Sequence, residues 1–136
     1  MNDIRSVASL TAEGARRVAD AARAFADGLG WPATICVADA AGVPLMVTRA
    51  DAGWPASVEI AIGKAASTIR FGRPSAALED MINGGRTAFV GTADGTPLRG
   101  GLPIEADGAV VGAIGVSGLT PERDEEVAKA GAAAAG

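Results

Sequence analysis

The sequence predicts a single α+β domain, a five-stranded antiparallel sheet with helices packed on it. Three observations carry that prediction. Two pairs of apolar, β-prone segments are each joined by a two-residue turn, Ala41-Gly42 and Asp107-Gly108, and tight turns make antiparallel neighbours. Helical periodicity precedes, separates and follows these segments, giving the order helix, two strands, one or two helices, three strands, helix. The 136 residues, 49% of them hydrophobic, suit one core, and no internal repeat is visible.

Residues 10–28 read as the first helix, with Val18, Ala22, Phe25 and Leu29 on one face and Gly28 and Gly30 at its end. ATICVADA (33–40) and VPLMVTR (43–49) make a hairpin, with Pro44 at a strand start where a missing N–H is tolerated. The second helix runs from about Pro55 to Ile69, Pro55 suiting the first helical position. Val58, Ala61, Ile62, Ala65 and Ile69 form its apolar stripe; Ser57, Lys64, Ser67 and Thr68 form a more polar one. Ser75 is expected to cap a short helix, SAALEDMIN, that stops at Gly84-Gly85. RTAFV (86–90), LPIEA (102–106) and AVVGAIGV (109–116) read as strands three to five. The last helix starts near Thr120-Pro121, with acids in its first turns at the positive end of the helix dipole.

The fifth strand is apolar on both faces, which predicts a central strand covered on both sides. Gly112 and Gly115 interrupt it on opposite faces, so each predicts a place where a helix or a second chain comes close. Neither glycine belongs to a dinucleotide fingerprint, because both lie inside the strand and not in a turn after it. GVSGL is not the nucleophile elbow G-x-S-x-G. Gly100-Gly101, beside Arg99, either bends the chain into the next strand or offers backbone N–H groups to an anion.

Composition narrows the function. With a net charge of −4 and only five aromatic residues, no basic, stacking surface for nucleic acid is expected. No apolar run reaches the roughly 20 residues of a membrane span, and MNDIRSVAS lacks an apolar signal core, so a cytoplasmic protein is expected. The lone Cys36 excludes an intrachain disulfide and is expected to be a buried, inert thiol. There is no histidine and no tyrosine, so a Ser-His-Asp triad is impossible, and no metal-ligand spacing is present. Acid–base chemistry would fall to Asp, Glu, Lys or Cys.

Among the twelve Lys and Arg residues only Lys64 and Lys129 are lysine, and Lys64 lies in an Ala/Ile-rich helix. An ammonium there can be desolvated and its pKa lowered, or it can sit in a plain salt bridge. Arg49, at a strand end, is a candidate carboxylate or phosphate clamp, or the partner of Asp51. Glu59 is a candidate base if buried; Asp124 reads most simply as a helix-start acid. Trp54 either walls a pocket or seals an interface, and Ser117-Gly118 marks either a pocket rim or a turn.

GGLPI, DGAVVGAIGVSG and Asp124 at the start of the final helix resemble the signature of the GlcG-like, HbpS-like haem-degrading domain family, which includes the C-terminal domain of PduO-type proteins. Asp39 with Gly42, Arg49 and Lys64-Ala65 agree with it. The resemblance covers nearly the whole chain. It implies a profilin-like α+β fold, a five-stranded sheet, dimers or larger homo-oligomers, a pocket near subunit contacts, and binding of haem or cobalamin-type tetrapyrroles. This chain departs from the family pattern at RADAGW (49–54) and at Leu119, where a glycine is usual. Iron ligation by the protein would fall to Cys36 or a methionine.

Two readings follow. One is a small-molecule-binding module in an oligomer, holding a tetrapyrrole or anionic metabolite near Arg49, Lys64, Arg99, Gly100, Gly101 and Ser117. The other is a cofactor-free lyase, isomerase or hydrolase using Lys64, Arg49 and Glu59 in an intersubunit pocket. A ligand-free accessory subunit is the third, blander possibility.

Overall fold

The computed structural model describes residues 2–91 and 95–135. In chain order it contains α1 (Ala12–Gly28), β1 (Thr34–Asp39), β2 (Pro44–Arg49), α2 (Ala56–Phe71), α3 (Ser75–Asn83), a 3-10 helix (Thr87–Gly91), β3 (Gly101–Ala106), β4 (Ala109–Ser117) and α4 (Pro121–Ala132). The strands form an antiparallel sheet of order β2-β1-β4-β3. Helices α1 and α4 cover one face and α2 the other, which makes three layers of the α+β class. Among the described residues no helix is long and apolar enough to cross a membrane.

The sheet has four strands among the described residues, where five were expected. RTAFV is not a strand: Thr87–Gly91 forms the 3-10 helix, and the Phe89 N–H donates to the Arg86 carbonyl at 3.2 Å. The buried Phe89 ring meets Phe71, at the end of α2, edge-on at 5.3 Å between centroids. That aromatic contact pins the segment to α2 and outweighs the β-propensity of a five-residue run.

Both hairpin turns form as their sequences suggest. Asp39 Oδ1 accepts from the N–H groups of Ala41 and Val43, closing β1–β2. Asp107 (φ 51°) and Gly108 (φ 79°) make the left-handed turn between β3 and β4. Thr11 caps α1, its hydroxyl accepting from the Gly14 N–H at 3.0 Å. Ser75 does not cap α3. Pro74 holds the cap position, and the Ser75 hydroxyl instead accepts the N–H of Gly101 at 2.8 Å.

The two sheet faces differ in side-chain size. In β1 the residues Ile35 and Val37 point one way, and in β4 Ile114 and Val116 join them. They pack against Ala15, Val18, Ala22, Val127 and Ala128 of α1 and α4. Phe25 and Leu29, expected on the buried face of α1, are exposed beside it; small residues bring α1 close instead. The opposite face of the same strands carries Cys36, Ala38, Ala113 and Gly115, all small, and α2 lies on them.

This difference corrects the expected stripe of α2 in part: Ala61 and Ala65 are buried as expected, and Ile62 and Ile69 pack at the margin of the same contact. The fully buried side of α2 is Ser57, Ala61, Lys64, Ala65 and Thr68, and Val58, Ile62 and Ile69 are partly exposed. Gly115 explains the difference. A Cβ there would fall on the Ala61 carbonyl and 2.7 Å from the Ala65 nitrogen, so the helix backbone rests directly on β4. Helix α2 therefore approaches through its smallest residues. The central position of β4 matches expectation, but a register shift opposite Ile104/Glu105 alters its outer end. Val111 joins the core with α1 and α4, while Val110 is 43% exposed.

Candidate functional site

The close seating of α2 carries Lys64 under the end of β4. The side chain is 3% exposed. Its Nζ donates to the Val116 carbonyl at 2.8 Å and to Asp124 Oδ2 at 3.0 Å. Asp124 lies in the first turns of α4, across the sheet from α2, and its Oδ1 accepts from the Leu119 N–H at 3.0 Å. The Thr120 hydroxyl caps α4 by accepting from the Arg123 N–H at 3.2 Å, which fixes the helix start. The pair thus joins helices from opposite layers at the point where β3 begins.

Gly100 is what lets the pair form. It has φ +128°, and a Cβ there would lie 2.8 Å from Lys64 Nζ and 3.0 Å from the Asp124 Cβ. At Gly101 a Cβ would press on Thr68 Oγ1 and on the Lys64 carbonyl. Its N–H already serves Ser75. The two glycines make room for the Lys64–Asp124 contact, and the Gly101 N–H is not available to cradle an anion.

Burial pushes the Lys64 ammonium below its ordinary pKa, and the Asp124 charge and hydrogen bond pull it part of the way back. Burial likewise pushes the Asp124 carboxyl up, opposed by Lys64. Both directions favour the neutral forms, so moving the proton from Nζ to Oδ2 is easier here than in water.

A cleft of about 160 Å³ opens over the pair, walled by Trp54, Ile60, Leu98, Arg99 and Ser117. Ser117 ends β4, is 3% exposed, and its hydroxyl has no hydrogen-bond partner among the described residues. The Trp54 indole donates to the Gly118 carbonyl at 3.2 Å and leaves 51% of the residue in solvent at the rim. Arg99 is fully engaged: its guanidinium meets Glu125 at 3.3 Å and Asp80 at 3.5 Å, and its N–H donates to Glu79 Oε1. Another hollow of about 210 Å³ lies between the start of α1 and the chain's C-terminal end, with Arg17 its sole charged lining residue. The cleft at Lys64 is smaller, and Lys64, Glu79, Arg99 and Asp124 line it.

Of the residues singled out from the sequence, Lys64, Arg99 and Ser117 line the cleft, and Gly100 and Gly101 shape its floor. Arg49 and Glu59 do not join them. Arg49 ends edge strand β2, exposed, its stem over Gly53, and Glu59 is exposed on α2. Asp124, read as a helix-start acid, is the partner of Lys64, and Glu79 and Trp54 complete the walls. The signal for this side was present in the sequence: T-I-C-V-A and A-I-G-V-S both alternate small with large. The small face marks where a helix comes close, and Lys64 is the long polar residue on that helix.

Among the described residues no group of three or more His, Cys, Asp or Glu is placed to hold a metal. An iron-ligated haem does not fit the cleft. The chain lacks His and Tyr, and neither Cys36 nor a methionine lines the cleft. Cys36 is sealed between β1 and α2, its thiol pushed up to about 12 by burial.

Comparison with known proteins gives these residues a context. The family described as haem degrading protein HbpS-like matches residues 10–133. GlcG of Escherichia coli strain K12 is 40% identical over 87 residues, 64% of this chain and 65% of GlcG, so the match spans just under two thirds of that relative. The crystal structure of Klebsiella pneumoniae protein ORFY superposes with a TM-score of 0.90 at 25% identity, covering 98% of this chain and 95% of that one. A double mutant of HbpS from Streptomyces reticuli superposes with a TM-score of 0.89 at 32% identity, covering 100% of this chain and 93% of that one.

Proposed function

The chain belongs to the HbpS-like family, and from that premise we propose that it is a small-molecule-binding module whose site is the cleft over Lys64 and Asp124. One observation carries this reading: a buried ion pair with donor capacity to spare. The ammonium has three protons and two acceptors, and the Ser117 hydroxyl, which lines the same cleft, has no partner among the described residues. A ligand or water in the cleft can take up that remaining hydrogen-bonding capacity.

The ligand is small, polar and uncharged. Both cations that line the cleft are already paired, Lys64 with Asp124 and Arg99 with Glu125 and Asp80, so no free cation awaits a carboxylate or phosphate. A volume of about 160 Å³ lies below the roughly 300–1,000 Å³ of drug-sized sites. A second copy of the chain completes the walls in this proposal, covering Trp54 and Leu98, the exposed apolar rim. Tetrapyrrole binding, the family expectation, would need that completed site and would proceed without protein ligation of iron.

A second reading, a cofactor-free lyase, isomerase or hydrolase, rests on the opposed pKa displacements of Lys64 and Asp124, the arrangement a proton-transfer pair needs. Arg49 and Glu59 have no part in it.

NMR titration with haemin, a cobalamin, acetate and small diols, run alongside sedimentation velocity, tests the binding reading. A diol is expected to shift the Trp54 indole and Ser117 signals, and Ser117→Ala to weaken that binding about tenfold, the loss of one hydrogen bond at 1–1.5 kcal/mol. Shifts confined to residues remote from the cleft, for every compound, would reject the site.

A further inference from the structure

We propose that the Lys64 amine, set at the floor of the cleft 3.0 Å from the Asp124 carboxylate, captures a small neutral aldehyde as an imine. This deepens the binding reading above and rests on it.

The geometry supplies each requirement. The nucleophile is reached only through the cleft, because Lys64 is 3% exposed. Two fixed acceptors, the Val116 carbonyl and Asp124 Oδ2, hold the nitrogen in place, so its lone pair is not free to swing into solvent once a proton leaves. Asp124 is anchored in turn by the Leu119 N–H on its other oxygen. The Ser117 hydroxyl supplies a hydrogen bond for the oxygen of the attacked carbonyl. At about 30 Å³ per water-sized group, 160 Å³ holds about five heavy atoms, the size of a two- to four-carbon aldehyde. The paired state of Arg99 disfavours a keto acid and leaves the uncharged carbonyl as the fitting class.

The step balances within the pair. A proton moves from Nζ to Asp124 Oδ2, and the freed nitrogen lone pair forms a C–N bond to the aldehyde carbon. The carbonyl π electrons pass to oxygen, which takes that proton back from Asp124. Asp124 then accepts a second proton from the nitrogen to give the neutral carbinolamine. Asp124 returns this proton to the hydroxyl as the C–O bond breaks, water leaves, and the nitrogen lone pair closes the iminium. The sum is ammonium plus aldehyde giving iminium plus water. The positive charge is on nitrogen beside the Asp124 carboxylate at the start and at the end, and while Asp124 holds the proton both groups are neutral, so the buried pair carries no net charge at any stage. Desolvation of the ammonium works in the same direction by easing the first proton transfer.

The chain contains its own control, because Lys129 is the other lysine and is 67% exposed. The full chain is incubated at pH 7 with propanal and sodium cyanoborohydride, and the reduced adduct is mapped by peptide mass spectrometry. Lys64 is expected to be labelled at least tenfold faster than Lys129. Asp124→Asn should slow labelling at Lys64 at least tenfold and leave Lys129 unchanged, with circular dichroism reporting the fold. Lys64→Arg, which preserves the charge, should abolish the fast adduct. Labelling at Lys129 alone, or at both lysines equally, overturns the proposal. 1-Propanol, which cannot form an imine, separates the two readings. If it shifts the Trp54 indole signal while Lys64 stays unlabelled, the covalent step fails and the binding site stands. If neither happens, both fail.

Discussion

The two faces of the sheet are packed by different physics. On the side of α1 and α4, Ile35, Val37, Ile114 and Val116 interdigitate with Val18, Val127 and a row of alanines, and the buried contact is aliphatic, with Trp31 and Met46 packed at its edge. On the side of α2 the strands offer Thr34, Cys36, Ala38, Ala113, Gly115 and Ser117, and the helix answers with Ser57, Ala61, Lys64, Ala65 and Thr68. The first face is held by buried area. The second buries little area per residue and is held by proximity, by the Thr34–Ser57 hydroxyl bond at 2.6 Å and by the Lys64–Asp124 pair. The candidate cleft sits on the second face because small residues bring polar side chains close to a strand end without a thick aliphatic layer between them.

The largest effect expected from this comparison is at Gly115. A valine there would drive its side chain into the α2 backbone at Ala61 and Ala65, where no rotamer change gives relief. The loss should exceed about 4–5 kcal/mol, beyond the ordinary range of single substitutions. Urea denaturation would show Gly115→Val unfolded or molten, and a normal midpoint would mean that α2 does not rest on β4.

Next in size is the ion pair. Removing one member, Lys64→Ala or Asp124→Ala, should cost about 3–5 kcal/mol because the other charge is left buried alone. The double variant Lys64→Met with Asp124→Leu should recover most of that loss, since an apolar pair of similar volume is often neutral or stabilising. The pH dependence separates the members. Asp124 has a raised folded pKa, so its contribution falls as pH climbs from the ordinary 3.8 through the folded value. Lys64 has a lowered folded pKa, so stability rises as pH climbs from the folded value to 10.5. Both slopes should vanish from the difference profile in the double variant. If the double variant is as unstable as the singles, the pair is not the contact that joins α2 to α4.

How far the sequence could be read follows the same division. The hairpins at 41–42 and 107–108 and the start of α4 were legible because each depends on local turn or cap chemistry, and the central place of β4 because both of its faces are apolar. The buried stripe of α2 was legible only in part: Ala61 and Ala65 lie in it as expected, but hydrophobic periodicity assumes that the largest apolar residues face the core, and Gly115 instead admits Ser57, Lys64 and Thr68 beside the alanines. RTAFV misled for a related reason: its β-prone Thr, Phe and Val say strand, and only the tertiary contact of Phe89 with Phe71 says otherwise. In the site, Lys64, Arg99 and Ser117 were within reach as unusual polar residues, whereas the pairing of Lys64 with Asp124, 60 residues apart, is set by how two layers meet.

The smallest predicted effect is the most direct test of the two-face description, because it uses one chemical change twice. Val37 and Val47 lie on neighbouring strands but on opposite faces. Val37 is fully buried against α1 and α4, and Val47 is 38% exposed on the side of α2. Threonine preserves the branched shape and the β-propensity, so the substitution isolates the hydroxyl. At Val37 that hydroxyl enters an aliphatic layer without an acceptor and should cost about 1–3 kcal/mol. At Val47 it meets solvent, and the change should stay within about 0.5 kcal/mol. Matched urea melts would measure the gap. Equal losses at both sites would mean that the α2 side of β2 is covered as thoroughly as the aliphatic face. In a sample shown to be oligomeric, that outcome would put the covering surface on a second copy of the chain.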